Sequence, residues 1–187
     1  MSESAVSTLP DNLTVLYSAE QIRDRIMQLA GEITADFAGD TPVLIGMLKG
    51  SYMFVADLSR ALPIPHHVDF MAVAAYGAGT TAGNLRLLKD LNVNITGRAV
   101  IIVDDIVDTG ATLNHIRLIL EARQPKRLAV VTLLDKKVRR RSDVPIDYVG
   151  FEIGEGFVVG YGLDLAERYR HLPYIAQIDP SKGEETR

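Results

Sequence analysis

The chain has 187 residues, 47% of them apolar and 24% charged, with a formal net charge of -4. That composition suits one globular unit with a full core, and it gives no whole-chain electrostatic pull toward nucleic acid or an anionic membrane. There is no cysteine, which excludes disulfides, thiolate chemistry and cysteine-bound zinc. No apolar run approaches a membrane span and the amino terminus lacks the layout of a signal peptide, so a cytoplasmic protein is expected.

Residues 1–12 and 180–187 lack apolar anchors and are expected to be loose. Ser18 with Gln21 three residues later predicts a capping box, opening a helix whose apolar stripe is Ile22, Ile26, Leu29, Ile33 and Phe37. Residues 43–48 predict a short strand, ended by Lys49-Gly50-Ser51 and covered by a helix over 52–62. Residues 67–76 read as another strand, 77–83 as a flexible stretch with nothing to bury, and 85–91 as the return. Val100, Ile101, Ile102 and Val103 then run into Asp104 and Asp105. Such a run reads as a strand buried on both faces of a parallel sheet, with its carboxylates at the carboxyl end, where open α/β sheets place ligands. A helix over 111–123 and a strand over 127–134 follow, and 148–153 with 157–161 predict a final strand pair or one bent strand. The alternation predicts an α/β fold: a doubly wound, mainly parallel sheet flanked by helices, with right-handed crossovers, in one unit over 1–187.

The carboxylates have two readings. Adjacent residues of a strand point to opposite sides, so Asp104 and Asp105 either address a ligand from two directions or mark a strand becoming polar as it surfaces. Asp108 suits a helix N-cap. The turn Thr109-Gly110-Ala111-Thr112 adds more: a glycine admits close backbone approach, while hydroxyls and free helix-start amides converge on one point. With the helix dipole this makes an anion site suited to a phosphate. Carboxylates plus a phosphate cradle suit a sugar phosphate. No Gly-x-x-x-x-Gly-Lys-Ser/Thr occurs, which excludes a P-loop triphosphatase. The stretch from Gly77 to Ala82 matches a dinucleotide fingerprint only formally, for no adequate helix follows and the acidic residue at the expected interval is missing. The basic run 136–141 reads as a solvated turn, or alternatively as a nucleic-acid contact, although no aromatic residue interleaves it. The four histidines show no metal-ligand spacing and are given no catalytic role.

Residues 100–113 resemble the phosphoribosyl pyrophosphate signature of the type I phosphoribosyltransferases. Where adenine enzymes of that superfamily tend to carry Ala and pyrimidine-operon regulators Tyr, this chain has Asp108, which is similar to the hypoxanthine-guanine branch. Leu48-Lys49-Gly50 resembles that branch's pyrophosphate loop, in which the peptide before the lysine is often cis. Tyr76-Gly77 resembles the opening of its mobile loop, and 133–136 its purine-binding lysine segment. Residues 157–164 with Arg170 resemble its carboxyl-terminal hood, to which the N-terminal segment and about 150–179 would contribute. Two positions depart from the pattern: Asp104 stands where Glu is common, and Ala75 where Ser is common.

The resemblance implies transfer of a phosphoribosyl group from phosphoribosyl pyrophosphate to hypoxanthine or guanine, giving IMP or GMP and pyrophosphate, with Mg2+ as cofactor. It implies ribose and metal contacts at Asp104 and Asp105, a further metal or purine-side contact at Asp164, and a 5′-phosphate grip by Asp108, Thr109, Gly110, Ala111 and Thr112. Lys49, Gly50 and Arg170 would hold the pyrophosphate. Asp108 would be the base toward purine N7, Lys136 the donor to the 6-oxo oxygen, Phe157 the stacking ring, and the Val158 backbone a reader of the exocyclic position. A homodimer or homotetramer is implied, with no membrane or nucleic-acid partner. A xanthine-preferring relative, and a nucleotide-sensing RNA-binding regulator of the same fold, are the alternatives.

Overall fold

The computed structural model describes residues 12–75 and 85–179. The expected loose ends, apart from Asn12, and the loop opened by Tyr76 and Gly77 therefore lie outside it. The chain runs β1 (Leu13–Tyr17), α1 (Ala19–Asp36), β2 (Val43–Leu48), α2 (Tyr52–Ala61), β3 (His67–Ala75), β4 (Leu85–Lys89), β5 (Ala99–Val107), α3 (Ala111–Glu121), β6 (Arg127–Asp135), β7 (Tyr148–Glu152), β8 (Phe157–Val159) and β9 (Ile175–Ile178).

The capping box forms as expected: Gln21 N donates to Ser18 Oγ at 3.2 Å, and Ser18 N donates to Gln21 Oε1 at 2.8 Å. That satisfies two of the four amides orphaned at the start of α1. The helix buries Ile22, Ile26, Leu29 and Ile33 beside Phe54, Val55 and Leu58 of α2, on one face of the large sheet. On the other face α3 buries Leu113, Ile116 and Leu120. Strand β5 shows why its apolar residues are consecutive: Ile101 and Val103 pack toward α1 and α2, while Val100 and Ile102 pack toward α3.

The large sheet has six strands in the order β4-β3-β2-β5-β6-β7, every neighbouring pair parallel except β3 with β4. The strand next in sequence, β3, lies on one side of β2, and β5 lies on the other, with Gly46 opposite Val103. This is the switch in direction of winding, outside whose carboxyl ends ligands bind. It sets the turn after β2 beside the end of β5.

One expectation is corrected. Residues 148–153 and 157–161 are neither a strand pair nor a bent strand: β7 extends the large sheet by pairing with β6, whereas β8 pairs with β9. Left-handed backbone at Gly156 (φ 121°) turns the chain out of the large sheet before Phe157. The second, antiparallel sheet, β1-β9-β8, aligns Ile178 with Leu13 on one side and Phe157 on the other. No helix among the described residues is long and apolar enough to cross a membrane.

Candidate active site

Strand β2 ends in a cis Leu48–Lys49 peptide followed by Gly50. A methyl group on Gly50 would overlap Oδ2 of Asp105, so the absence of a side chain lets the carboxylate lie against the turn. Asp104 and Asp105 diverge as strand alternation demands. Asp104 borders a small cavity of about 110 Å³ with Asp108, Thr109, Gly110 and Thr112, whereas Asp105 borders a larger one of about 270 Å³. Burial pushes the Asp104 carboxyl well above the usual carboxylate range, and the adjacent Asp105 charge adds to it. Burial raises Asp105 as well.

Two crowded carboxylates with raised affinity for protons form a donor set suited to a hard cation. Among the described residues no group of three or more His, Cys, Asp or Glu comes together to hold a metal. An adjacent carboxylate pair would suit a cation such as Mg2+ that keeps several waters and takes few ligands from protein.

The start of α3 overturns the cap reading of Asp108. The N-cap is Gly110, in left-handed backbone at φ 81° that a side chain would strain, and it offers no side-chain cap to the helix. Beyond a long contact of 3.4 Å from Ala111 N to Thr109 Oγ1, no side chain among the described residues caps the first turn. Its amides are available to an anion.

The larger cavity gathers Asp105, Asp108, Lys136, Phe157, Val158 and Asp164, with Ile106, Arg139, Gly156 and Leu163 completing the wall. Lys136 is only 6% exposed, and its Nζ donates to the carbonyl of Gly156. Phe157 is 48% exposed, which rules out the core role that a Phe beside two valines would suggest. The basic run beyond Lys136 is largely the solvated turn expected, but its cations are paired: Lys137 with Glu152, Arg140 with Asp135, and Arg139, whose Nη1 lies 3.0 Å from Oδ2 of Asp108.

Lys49 and Arg170 meet at a third place. Gly162 has no side chain to block the Gly50 carbonyl, and this close approach brings the segment after β8 onto the turn after β2. Arg170 donates from Nη1 to Gly162 O at 2.7 Å, and its Nη2 lies 2.8 Å from Oδ1 of Asp164. Glu167 N donates to the other oxygen of Asp164 at 2.8 Å. Asp164 is thus an anchor for the Arg170 guanidinium, and Glu167 is the carboxylate between the two cations. Arg139, Ile106 and Glu167 were missed by sequence reasoning. Ile106 lies within the apolar-acidic strand itself and Arg139 within the basic run, while Glu167 carried no signal beyond its place three residues before Arg170.

The site therefore has an adjacent acid pair, a helix start without a side-chain cap, and a cavity whose wall mixes apolar side chains with Lys136, Arg139 and three aspartates. A family model described as the phosphoribosyl transferase domain matches residues 13–166. The hypoxanthine phosphoribosyltransferase of Salmonella typhimurium is 49% identical over 167 residues, spanning 88% of this chain and 94% of that protein. The hypoxanthine-guanine phosphoribosyltransferase of Bacillus subtilis is 42% identical over 168 residues, 89% of this chain and 93% of its own. The crystal structure of a hypoxanthine-guanine phosphoribosyltransferase from Bacillus anthracis superposes with a TM-score of 0.86 at 46% identity, covering 89% of this chain and 98% of that one. The chain belongs to the phosphoribosyl transferase family, on the branch of the hypoxanthine and hypoxanthine-guanine enzymes.

Proposed function

We propose that the protein transfers the phosphoribosyl group of phosphoribosyl pyrophosphate to N9 of hypoxanthine or guanine, releasing pyrophosphate and forming IMP or GMP. The observation that carries this reading is the cavity in which Lys136, Asp108 and the open ring of Phe157 face one another beside the uncapped start of α3.

The first turn of α3, with Thr109 and Thr112, grips the 5′-phosphate through amides and hydroxyls. Asp104 and Asp105 hold the ribose hydroxyls, and they are the residues that would hold Mg2+. When bound, the cation offsets charge on the ribose and pyrophosphate oxygens. Lys49 and Arg170 take the charge of the leaving pyrophosphate, the planar guanidinium favouring a two-point grip. As the bond from C1′ to the pyrophosphate oxygen breaks, the bond from N9 to C1′ forms, and the N7 proton passes to Asp108. Such a base step is worth roughly 10²–10⁴ in rate. Lys136 donates to the 6-oxo oxygen, which an adenine amino group cannot replace as acceptor. Its acceptor within the protein, Gly156 O, belongs to the turn that leads to Phe157. Phe157 stacks on the ring, and the backbone at Val158 meets the exocyclic position.

The test is nucleotide formation from phosphoribosyl pyrophosphate and Mg2+ with hypoxanthine, guanine, xanthine, adenine and uracil in parallel. IMP and GMP are the expected products; activity with uracil alone would overturn the purine assignment, and activity confined to xanthine would move it to the rival enzyme. Asp108→Asn is expected to keep phosphoribosyl pyrophosphate binding while turnover falls, and Lys136→Ala to raise the KM for both oxopurines. The basic run is engaged by Asp108, Asp135 and Glu152, which disfavours the RNA-binding regulator.

A further inference from the structure

The segment after β6 is built as a clamp on the residue read above as the base. Arg141 N and Ser142 N donate to Thr109 O at 3.0 and 3.1 Å. Arg140 Nε donates to Asp108 O at 3.3 Å, its guanidinium anchored by Asp135. These contacts fix the main chain of Asp108 and Thr109. They leave its carboxylate free to rotate about a terminal torsion that is broad and two-fold.

The carboxylate nonetheless sits in one orientation. Oδ2 forms an ion pair with Arg139, whose Nη1 lies 3.0 Å away, while Oδ1 is buried and finds no hydrogen-bond partner among the described residues. An anionic oxygen left buried and unmatched is unfavourable, and an unrestrained carboxylate would turn to hydrate both oxygens. The contact that opposes this turn is Arg139. It closes a 3-10 turn, Lys137–Arg139, capped by Lys136. Side chains three residues apart on such a turn eclipse, so Lys136 and Arg139 line the same cavity.

We propose that Arg139 is a positioning residue for the reaction: it holds Oδ2 of Asp108 on the wall of the purine cavity, ready for the N7 proton. The pair with Arg139 is ionic and not a directed hydrogen bond, so Oδ2 keeps an acceptor direction for N7–H. Arg139 acts through Asp108 and not on the ring or the phosphoribosyl group. This inference rests on the reading of Asp108 as the base, and the experiment separates the two.

The experiment compares the wild type with R139M, D108N and the R139M/D108N double variant. Steady-state kcat and KM are measured with hypoxanthine, and single-turnover rates with enzyme in excess keep the slow variants measurable. Arg139 is 54% exposed in its side chain, so methionine there leaves the fold intact. R139M is expected to lower kcat by roughly two- to fivefold, the scale of a partly exposed charge pair, with both KM values within about twofold of wild type. In the D108N background R139M is expected to add no further loss, as for two residues acting as one unit. An unchanged kcat in R139M, a loss appearing in KM instead, or the same proportional loss in the D108N background each overturns the positioning role. Undiminished turnover in D108N overturns the base reading itself; impaired D108N beside intact R139M overturns the positioning role alone.

Discussion

Lys49 Nζ lies 3.0 Å from both carboxylate oxygens of Glu167, and Arg170 Nη2 reaches the same carboxylate at 3.4 Å. The two cations assigned to pyrophosphate thus share an internal anion. Both Lys49 and Glu167 are about two-thirds exposed, so the pair contributes little to folding, yet an incoming pyrophosphate must compete with it. The Lys49 contact holds the Glu167 carboxyl below its ordinary range, which keeps it ionised at neutral pH. Glu167→Gln is expected to lower the KM for phosphoribosyl pyrophosphate and the inhibition constant of pyrophosphate by about two- to fivefold, with an unchanged Tm. Initial-rate kinetics with pyrophosphate as product inhibitor decide it, and two unaltered constants would remove Glu167 as a competitor.

Asp104 is expected to trade stability for binding. Its carboxyl is raised above the usual range by burial and by Asp105, so the ionised form is disfavoured in the fold at neutral pH. Asp104→Asn should raise Tm by about 2–4 °C for each kcal/mol relieved, while turnover falls. The sign follows from linkage: a carboxyl raised in the folded state takes up its proton as pH falls, so the gap in Tm between variant and wild type closes on acidification. Calorimetry from neutral pH downward checks this. A variant less stable at neutral pH would contradict it.

Gly50 is expected to be intolerant for a local reason. A side chain there would overlap Oδ2 of Asp105, so Gly50→Ala must displace that carboxylate. The expected result is a loss of at least about tenfold in kcat/KM for phosphoribosyl pyrophosphate, equivalent to roughly 1.4 kcal/mol of transition-state stabilisation. Gly31, inside α1, has nothing among the described residues within 4 Å of an added Cβ. Gly31→Ala should stabilise by about 0.5–1 kcal/mol, with kinetics unchanged. Equal kinetics in the two alanine variants would refute the steric argument.

Alkaline pH should unfold the protein through its tyrosines. Tyr148 donates to Asp36 at 2.6 Å and Tyr161 to Asp57, and burial followed by these carboxylates raises both hydroxyls. An unfolded tyrosine ionises near pH 10, whereas these retain their protons in the fold. Their contribution is therefore complete below about pH 10 and is lost as pH rises beyond it. Urea midpoints measured between pH 8 and pH 11 should fall along the alkaline limb, more gently in the Tyr148→Phe/Tyr161→Phe variant. Each hydroxyl removed should cost about 1 kcal/mol at pH 7.

What was legible in the sequence depended on whether its cause was local. The capping box of Ser18 and Gln21 needs only residues within four positions, and the burial of Val100 to Val103 on both faces follows from their composition. By contrast, β1 and β9 are five and four residues long, and they become strands by pairing with each other across the length of the chain. Asp108 looked like a cap because residue type does not reveal φ: Gly110 takes the left-handed conformation and the cap with it. Arg139 was hidden in a run of charges that reads the same whether it faces water or an aspartate. Most residue roles came through the family resemblance, since chemistry depends on distances that spacing alone does not fix.

The pairing of Leu13 with Ile178 also sets the order in which a chain emerging from the ribosome becomes competent. The strands β2, β5 and β6, with the turns carrying Lys49 and Asp104 to Thr112, all precede residue 136, and nascent domains gather structure from their N-terminal side. β1 emerges before them yet has no partner until β9 appears, and contacts of such long sequence separation form slowly. β8, which carries Phe157, waits for the same partner. In a nascent chain the phosphate-facing half thus has its partners early, and the wall that would cover a purine waits until residues 175–178 are available.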